Sequence, residues 1–230
     1  MPNSSEKRCF CKDPWNCPTH GILGNNYMCS IYMNYLNGSR NYRDISPKVY
    51  LDASFDNFLA LNEYLKKGLT KCRYFVEEKL WEKGVGLILY GRYGTGKSRL
   101  GFTVLKEAAV MGCNIGVLDV LRDFENFEGA DAAIKRALDS DLIFIDDLGA
   151  KGYDWIGQKI RIVIDEVNRN QKSVIISSNL HPKELVNFLD DRTVSRLMEI
   201  VPKEGLIYLG EEDFRVKKRE EKVVYFEQIR

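Results

Sequence analysis

The chain has 230 residues, 44% of them hydrophobic, and 34 Lys and Arg stand against 33 Asp and Glu for a formal net charge of +1. That length and apolar share suit one well-cored domain with a small appendage, and the balanced charge excludes an affinity for nucleic acid that rests on a global field. The N-terminus MPNSSEKRCF carries no apolar leader, and runs such as Leu142 to Ile145 are too short to span a bilayer, so a soluble, cytoplasmic chain with no membrane partner is expected.

Residues 1–47 are rich in Cys, Asn, Tyr, Pro and Gly and poor in aliphatic side chains, so a module that folds there by itself needs a metal staple. Four of the six cysteines, Cys9, Cys11, Cys17 and Cys29, fall in the first thirty residues, whereas Cys72 and Cys113 stand in apolar helical patterns and read as core. CFCKDPWNCPTH sets Cys9, Cys11, Cys17 and His20 within a dozen residues, with Cys29 as a fifth candidate. Four of these five would hold Zn²⁺ tetrahedrally, and the Cys-x-x-His spacing at Cys17 and His20 suits a knuckle turn. The alternative is a set of reduced thiols in a flexible arm.

Residues 48–84 form a bridge in which ASFDNF leads into a helical pattern of Leu65, Leu69, Cys72, Val76 and Leu80, stopped by Gly84. Residues 85–210 then alternate apolar runs of strand length with helical patterns, which predicts an α/β fold with a parallel sheet covered on both faces. The runs are VGLILY, NIGVLDV, DLIFID and SVIISS, with LIYL as a last strand. Helices are expected to begin near Lys97, Asp131 and Asp154, and HPKELVNFL and RTVSRLMEI read as short helices. Residues 211–230 are highly charged and read as a solvated tail.

GRYGTGKS fits G-x-x-x-x-G-K-[ST] and lies between an apolar strand and a helix start, the context that pattern requires. Gly91, Gly94 and Gly96 let backbone N–H groups turn toward a phosphate, with Thr95 and Arg99 in the same nucleotide-binding stretch. The helix N-terminus adds its positive dipole end, Lys97 can reach terminal phosphates, and the Ser98 hydroxyl can join the shell of Mg²⁺. LIFIDDLG ends another strand with two acids: Asp146 is placed to hold Mg²⁺, and Asp147 to polarise an attacking water. Asn179, after SVIISS, is either a neutral contact for that water or an ordinary turn residue, and as a contact its strand must lie between the other two. Arg192 and Arg196 share one helix face. Either they pair at the surface or one serves as an arginine finger toward a neighbouring subunit, Arg196 being preferred.

In this order, GRYGTGKS, LIFIDDLGA, SVIISSNL and DRTVSRLME resemble the DnaC and DnaI helicase loaders and the related IstB ATPases, over about Asp44 to Leu209. The resemblance implies an AAA+ core of sheet order 5-1-4-3-2 with a reduced helical lid, Asn179 as the phosphate sensor and Arg196 as the finger. It also implies an ATP-bound homo-oligomer holding single-stranded DNA, and an N-terminal module that grips a replicative helicase. Stretches that would touch the strand offer Phe124, Lys151, Tyr153 and Trp155, by stacking and phosphate neutralisation; core packing is the competing reading for Phe124 and Trp155. The expected function is therefore a Mg²⁺-dependent ATPase that loads a helicase, possessed of Zn²⁺ in its N-terminal module. Competing readings are an IstB-like transposition ATPase on duplex DNA and an ATP-switched adaptor that does not hydrolyse, the latter motivated by the short side chain of Asp147.

Overall fold

The computed structural model describes residues 17, 19–23, 27–150 and 154–215. A two-stranded hairpin, β1 (Ile22–Leu23) and β2 (Tyr27–Met28), leads into helix α1 (Ser30–Ile45) and a single 3-10 turn, Lys48–Tyr50. Helix α2 (Glu63–Glu77) starts at Asn62, whose side chain accepts from the Leu65 N–H at 2.9 Å and so satisfies one donor of the first turn. A 3-10 turn, Leu80–Lys83, and Gly84 at φ 66° then hand the chain to the sheet.

The α/β core follows as β3 (Leu87–Tyr90), α3 (Lys97–Val110), β4 (Ile115–Asp119), α4 (Val120–Asp123), α5 (Phe127–Leu138), β5 (Leu142–Leu148), α6 (Asp154–Arg169) and β6 (Ser173–Ser178). It closes with α7 (Leu185–Phe188), α8 (Asp191–Ile200) and β7 (Leu206–Tyr208). Among the described residues β3 to β7 pair in parallel in the order β4-β5-β6-β3-β7, which is the sheet order expected above. Burial on both faces explains the unbroken apolar runs. Leu87, Leu89, Phe144 and Ile175 face a core shared with α2 and α3, while Ile88, Ile143, Ile145 and Ile176 face one shared with α5, α6 and α8. Cys72 and Cys113 are buried in the first of these cores, as their setting predicts. No described helix is long and apolar enough to cross a membrane.

Three features depart from the sequence reading. Helix α5 begins at Phe127, four residues before Asp131, because Asn126 accepts from the Gly129 N–H at 2.7 Å and caps it earlier. Residues 30–45, poor in aliphatic side chains, still form a helix, because α1 is held by packing on α3 rather than by a core of its own. The third is the stretch after β7: the Arg92 N–H donates to the Gly210 carbonyl at 3.1 Å and the Phe214 N–H to the Gly94 carbonyl at 3.1 Å. Residues 210–215 thus lie across the loop between β3 and α3, and Phe214 packs against the α3-side core.

The α1–α3 contact is backbone-close. A Cβ added at Gly38 would stand 1.9 Å from the Ala109 carbonyl oxygen, an approach that only glycine permits. Replacing Gly38 by Leu should cost about 1–3 kcal/mol by forcing the helices apart, read as a lower midpoint in urea denaturation. An unchanged midpoint would mean that α1 is not part of the folded unit.

Candidate nucleotide site

Tyr90 ends β3 and Lys97 begins α3, and the loop between them turns through Gly91 (φ 144°), Gly94 (φ 78°) and Gly96 (φ 92°), conformations that L side chains adopt only with strain. Thr95 is fully buried and its hydroxyl donates to the Arg92 carbonyl at 3.0 Å, bracing the loop. Lys97, 5% exposed, folds back to donate to the carbonyls of Gly91 at 2.9 Å and Arg92 at 2.7 Å. Desolvation pulls its pKa down to about 8 despite the opposing pull of Asp147 and Asp146. The seven loop residues Gly91, Gly94, Thr95, Gly96, Lys97, Ser98 and Arg99 are contiguous with the start of α3, but they do not all face the loop's hollow. Arg99 points away: its guanidinium donates to Asp52 at 3.3 and 3.2 Å and to Asn57 Oδ1 at 2.9 Å. The side chain thereby fastens ASFDNF and its preceding residues to α3.

β5 carries the two acids. In a regular strand neighbouring side chains alternate between faces; here the register with β6 slips between Ile145 and Leu148, and Asp147 takes φ 57°, a conformation that Asp tolerates better than most residues. The bulge brings both carboxylates to the Lys97 end, where each acts on its ammonium. Ser177 on β6 pins it, accepting from the Asp147 N–H at 2.9 Å and donating to Asp146 Oδ1. The nearby Ser98 hydroxyl also favours the ionised form of Asp146. Asp146 is only 7% exposed, and burial, with repulsion from Asp147 and Asp119, lifts its pKa to about 6 against the help of the two hydroxyls. The pKa of Asp147 is also raised, by burial first, with Lys97 opposing.

Asn179 follows β6, between the β5 and β3 ends, and its Oδ1 is buried without a hydrogen-bond partner among the described residues. It lines an open cavity of about 610 Å³ with Tyr90, Arg92, Tyr93, His181 and Tyr208, which borders the first half of the loop rather than the Lys97 end. Two further residues reach the site without having been singled out from the sequence. The Arg215 charge acts on Lys97 and Asp147, and Tyr50 lies close enough to Ser98 and Asp146 for both to act on its hydroxyl. A charged segment past the last strand and a tyrosine far upstream of the loop carry no local pattern that points to a phosphate site; only the fold brings them there.

Elsewhere the expectations separate. Arg196 on α8 is ion-paired with Asp165 on α6, whereas Arg192, one turn earlier, is exposed. Phe124 is 1% exposed in the core under α5 and stacks on Trp155 at 6.1 Å between centroids; it cannot offer a face to a base, and its assignment to DNA is corrected. Trp155 is partly buried between Phe124 and Phe127, and the exposed aromatic there is Phe127. Lys151 and Tyr153 lie outside the described residues, as do Cys9 and Cys11. Cys17 and Cys29 are buried and His20 is exposed, with the Gly21 N–H donating to Cys17 Sγ at 3.2 Å. Among the described residues no three His, Cys, Asp or Glu side chains gather where they could hold a metal.

No protein-family model and no curated protein matches this sequence. Solved structures do. The chain is similar to the DnaC helicase loader, with 26% identity and a TM-score of 0.63 over 70% of this chain and 99% of that one. This chain has a DnaC/DnaI-like AAA+ loader fold. DnaI matches with 19% identity and a TM-score of 0.62 over 76% of this chain and 98% of that one. The replication initiator DnaA, bound to AMPPCP and single-stranded DNA, matches with 21% identity and a TM-score of 0.56, over 80% of this chain and 56% of that one.

The Ser177 bond favours the ionised form of Asp146, so Ser177→Ala should push the Asp146 pKa above about 6. A carboxyl whose folded pKa is raised withdraws stability as pH climbs through that pKa. The variant should therefore lose more stability at pH 7.5 than at pH 5, by about 1–3 kcal/mol at the higher pH. Urea denaturation at the two pH values reads this, and an equal loss at both would mean that Ser177 does not act through Asp146.

Proposed function

We propose that this chain is an ATP-dependent loader of a replicative DNA helicase, binding helicase and single-stranded DNA and leaving on ATP hydrolysis. The observation that carries the reading is the meeting of Lys97, Ser98, Asp146 and Asp147 at the edge of one sheet, on a fold shared with the DnaC helicase loader along 99% of that chain. In this reading the N–H groups of the Gly91–Ser98 loop cradle the phosphates, and Lys97 exchanges its two carbonyl partners for a terminal phosphate. Mg²⁺ supplies charge neutralisation when bound, and the residues present fit it. Ser98 and Asp146 are hard oxygen donors near one another, and the buried Asp146 carboxylate has acids and hydroxyls around it. Asp147 is the base that orients water, and Asn179, with its unpartnered oxygen, holds that water. Arg215 adds a positive charge from the same subunit.

In an oligomer Arg196 is the finger, and it would have to leave Asp165 to reach a neighbouring site. Lys151, Tyr153 and Trp155 remain the proposed contacts to single-stranded DNA. The N-terminal module grips the helicase, folded about Zn²⁺ on four of Cys9, Cys11, Cys17, His20 and Cys29. The Gly21 N–H on Cys17 Sγ supports Cys17 as one of the four, because such a bond stabilises a thiolate.

Two measurements test this. With a fluorescent ATP analogue and Mg²⁺, Lys97→Ala should bind roughly ten- to a hundredfold more weakly, the loss of charge-assisted hydrogen bonds to phosphate. Wild-type protein should prefer labelled single-stranded over double-stranded oligonucleotides when ATP is present, and the variant should not. A duplex preference would transfer the reading to a transposition-type ATPase, and no DNA binding in either form would refute a loader. Elemental analysis of the purified chain should find about one zinc per chain; none would remove the metal from the module.

A further inference from the structure

The loop between β3 and α3 carries one glycine that its phosphate-binding pattern does not require: G-x-x-x-x-G-K-[ST] fixes Gly91 and Gly96 and leaves the position of Gly94 free. A φ of 78° is one reason for glycine there. The other comes from beyond the last strand. A Cβ added at Gly94 would stand 1.8 Å from Oδ1, 2.3 Å from the carboxyl carbon and 3.0 Å from Oδ2 of Asp213. The carboxylate of Asp213 thus rests against the bare α-carbon of the phosphate loop, in the space where any other residue would put its side chain.

Backbone bonds on both sides hold it there. The Gly210 carbonyl accepts from the Arg92 N–H and the Phe214 N–H donates to the Gly94 carbonyl, each at 3.1 Å. Phe214 packs against the α3-side core, and the Arg215 N–H donates to Asp213 Oδ1 at 2.9 Å, which fixes the carboxylate itself. A loop whose N–H groups and helix N-terminus are set out for an anion therefore already has one beside it. With the site empty, the carboxylate gains from that field. A phosphate taken up by the loop would have the same carboxylate for a neighbour, and like charges repel. The repulsion grows with the charge of the ligand, so it weighs more on a nucleoside triphosphate than on a diphosphate.

We infer that Asp213 is a specificity-determining residue of the nucleotide site: held against Gly94, it competes with phosphate for the loop, lowers nucleotide affinity and narrows the preference for a triphosphate over a diphosphate. Bound nucleotide is thereby kept exchangeable by a charge that the chain itself supplies. This inference rests on the nucleotide reading of the preceding subsection and deepens it.

The test compares wild type with Asp213→Asn, which removes the charge and keeps an oxygen for the Arg215 N–H. Its control is Glu212→Gln, which removes the same charge from the exposed preceding residue and leaves the Gly94 contact alone. Affinities for fluorescent ATP and ADP analogues are measured with Mg²⁺ at about 0.05 M and about 0.5 M salt. At low salt Asp213→Asn should bind the ATP analogue about three- to tenfold tighter than wild type, and the ADP analogue tighter by a smaller factor. Both gains should shrink at high salt, because Asp213 is exposed and its charge is screened. Glu212→Gln should stay within about twofold of wild type. A gain in affinity does not arise from a damaged fold. Unchanged or weaker binding by Asp213→Asn, an equal gain in Glu212→Gln, a gain as large for ADP as for ATP, or one that ignores salt overturns the role of Asp213 alone. Wild type that binds neither analogue overturns that role and the nucleotide reading together.

Discussion

Asp146 sits 7% exposed at the end of β5; the hydroxyl of Ser177 on β6 donates to its carboxylate, and Ser98 of α3 is nearby. Neutral donors ease a buried anion without balancing its charge, and Asp147 and Asp119 make matters worse. Holding that carboxyl ready therefore demands that three elements agree to within a hydrogen bond. β6 must lie between β5 and β3 so that Ser177 can reach, the bulge at Asp147 must turn the second acid, and the glycine loop must deliver Ser98 at the first turn of α3. Lys97 is the complementary half, drawn down to about 8 by its own burial and resting on carbonyls of its loop. An acid and a base, both displaced by burial from their solution behaviour, stand together beside the glycine loop.

The N-terminal third is part of the same arrangement. α1 lies on α3 through Gly38, Tyr42 bonds the turn that carries Tyr50, and Arg99 and Lys106 on α3 hold residues 51–57 by their carbonyls and side chains. Helix α3 thus has the phosphate loop at its N-terminus and the N-terminal segment along its exposed side.

What could be read from the sequence was what depends on neighbours in the chain. GRYGTGKS needs its strand before it and its helix after it, and both announce themselves by apolar runs of the right length, so the loop and the five strands followed, whereas the strand order came from the resemblance to the DnaC and DnaI loaders. α1 did not, because its packing face is made of Gly38 and Tyr42 rather than Leu or Ile, and a glycine that lets two backbones approach looks, in sequence, like a helix breaker. The bulge at Asp147 was hidden for a related reason: nothing in LIFIDDL marks it, and the hydroxyl that fixes it comes thirty residues later. Phe124 and Trp155 carry the same ambiguity as any aromatic near a strand end, and only burial decided that Phe124 belongs to the core. For Arg99, a basic side chain next to the loop suggested phosphate, but helix geometry rotates that position toward Asp52.

The segment beyond β7 has a consequence for how the chain is handled. Gly210 accepts from Arg92, Phe214 donates to Gly94, and a Cβ at Gly94 would stand 1.8 Å from the Asp213 carboxylate. Arg92 and Gly94 of the phosphate loop are therefore braced from beyond the last strand, about 120 residues further along the sequence. A boundary drawn just behind Leu209, where the last strand ends and a designer of shortened proteins would naturally cut, would leave the sheet intact and the phosphate loop without its buttress.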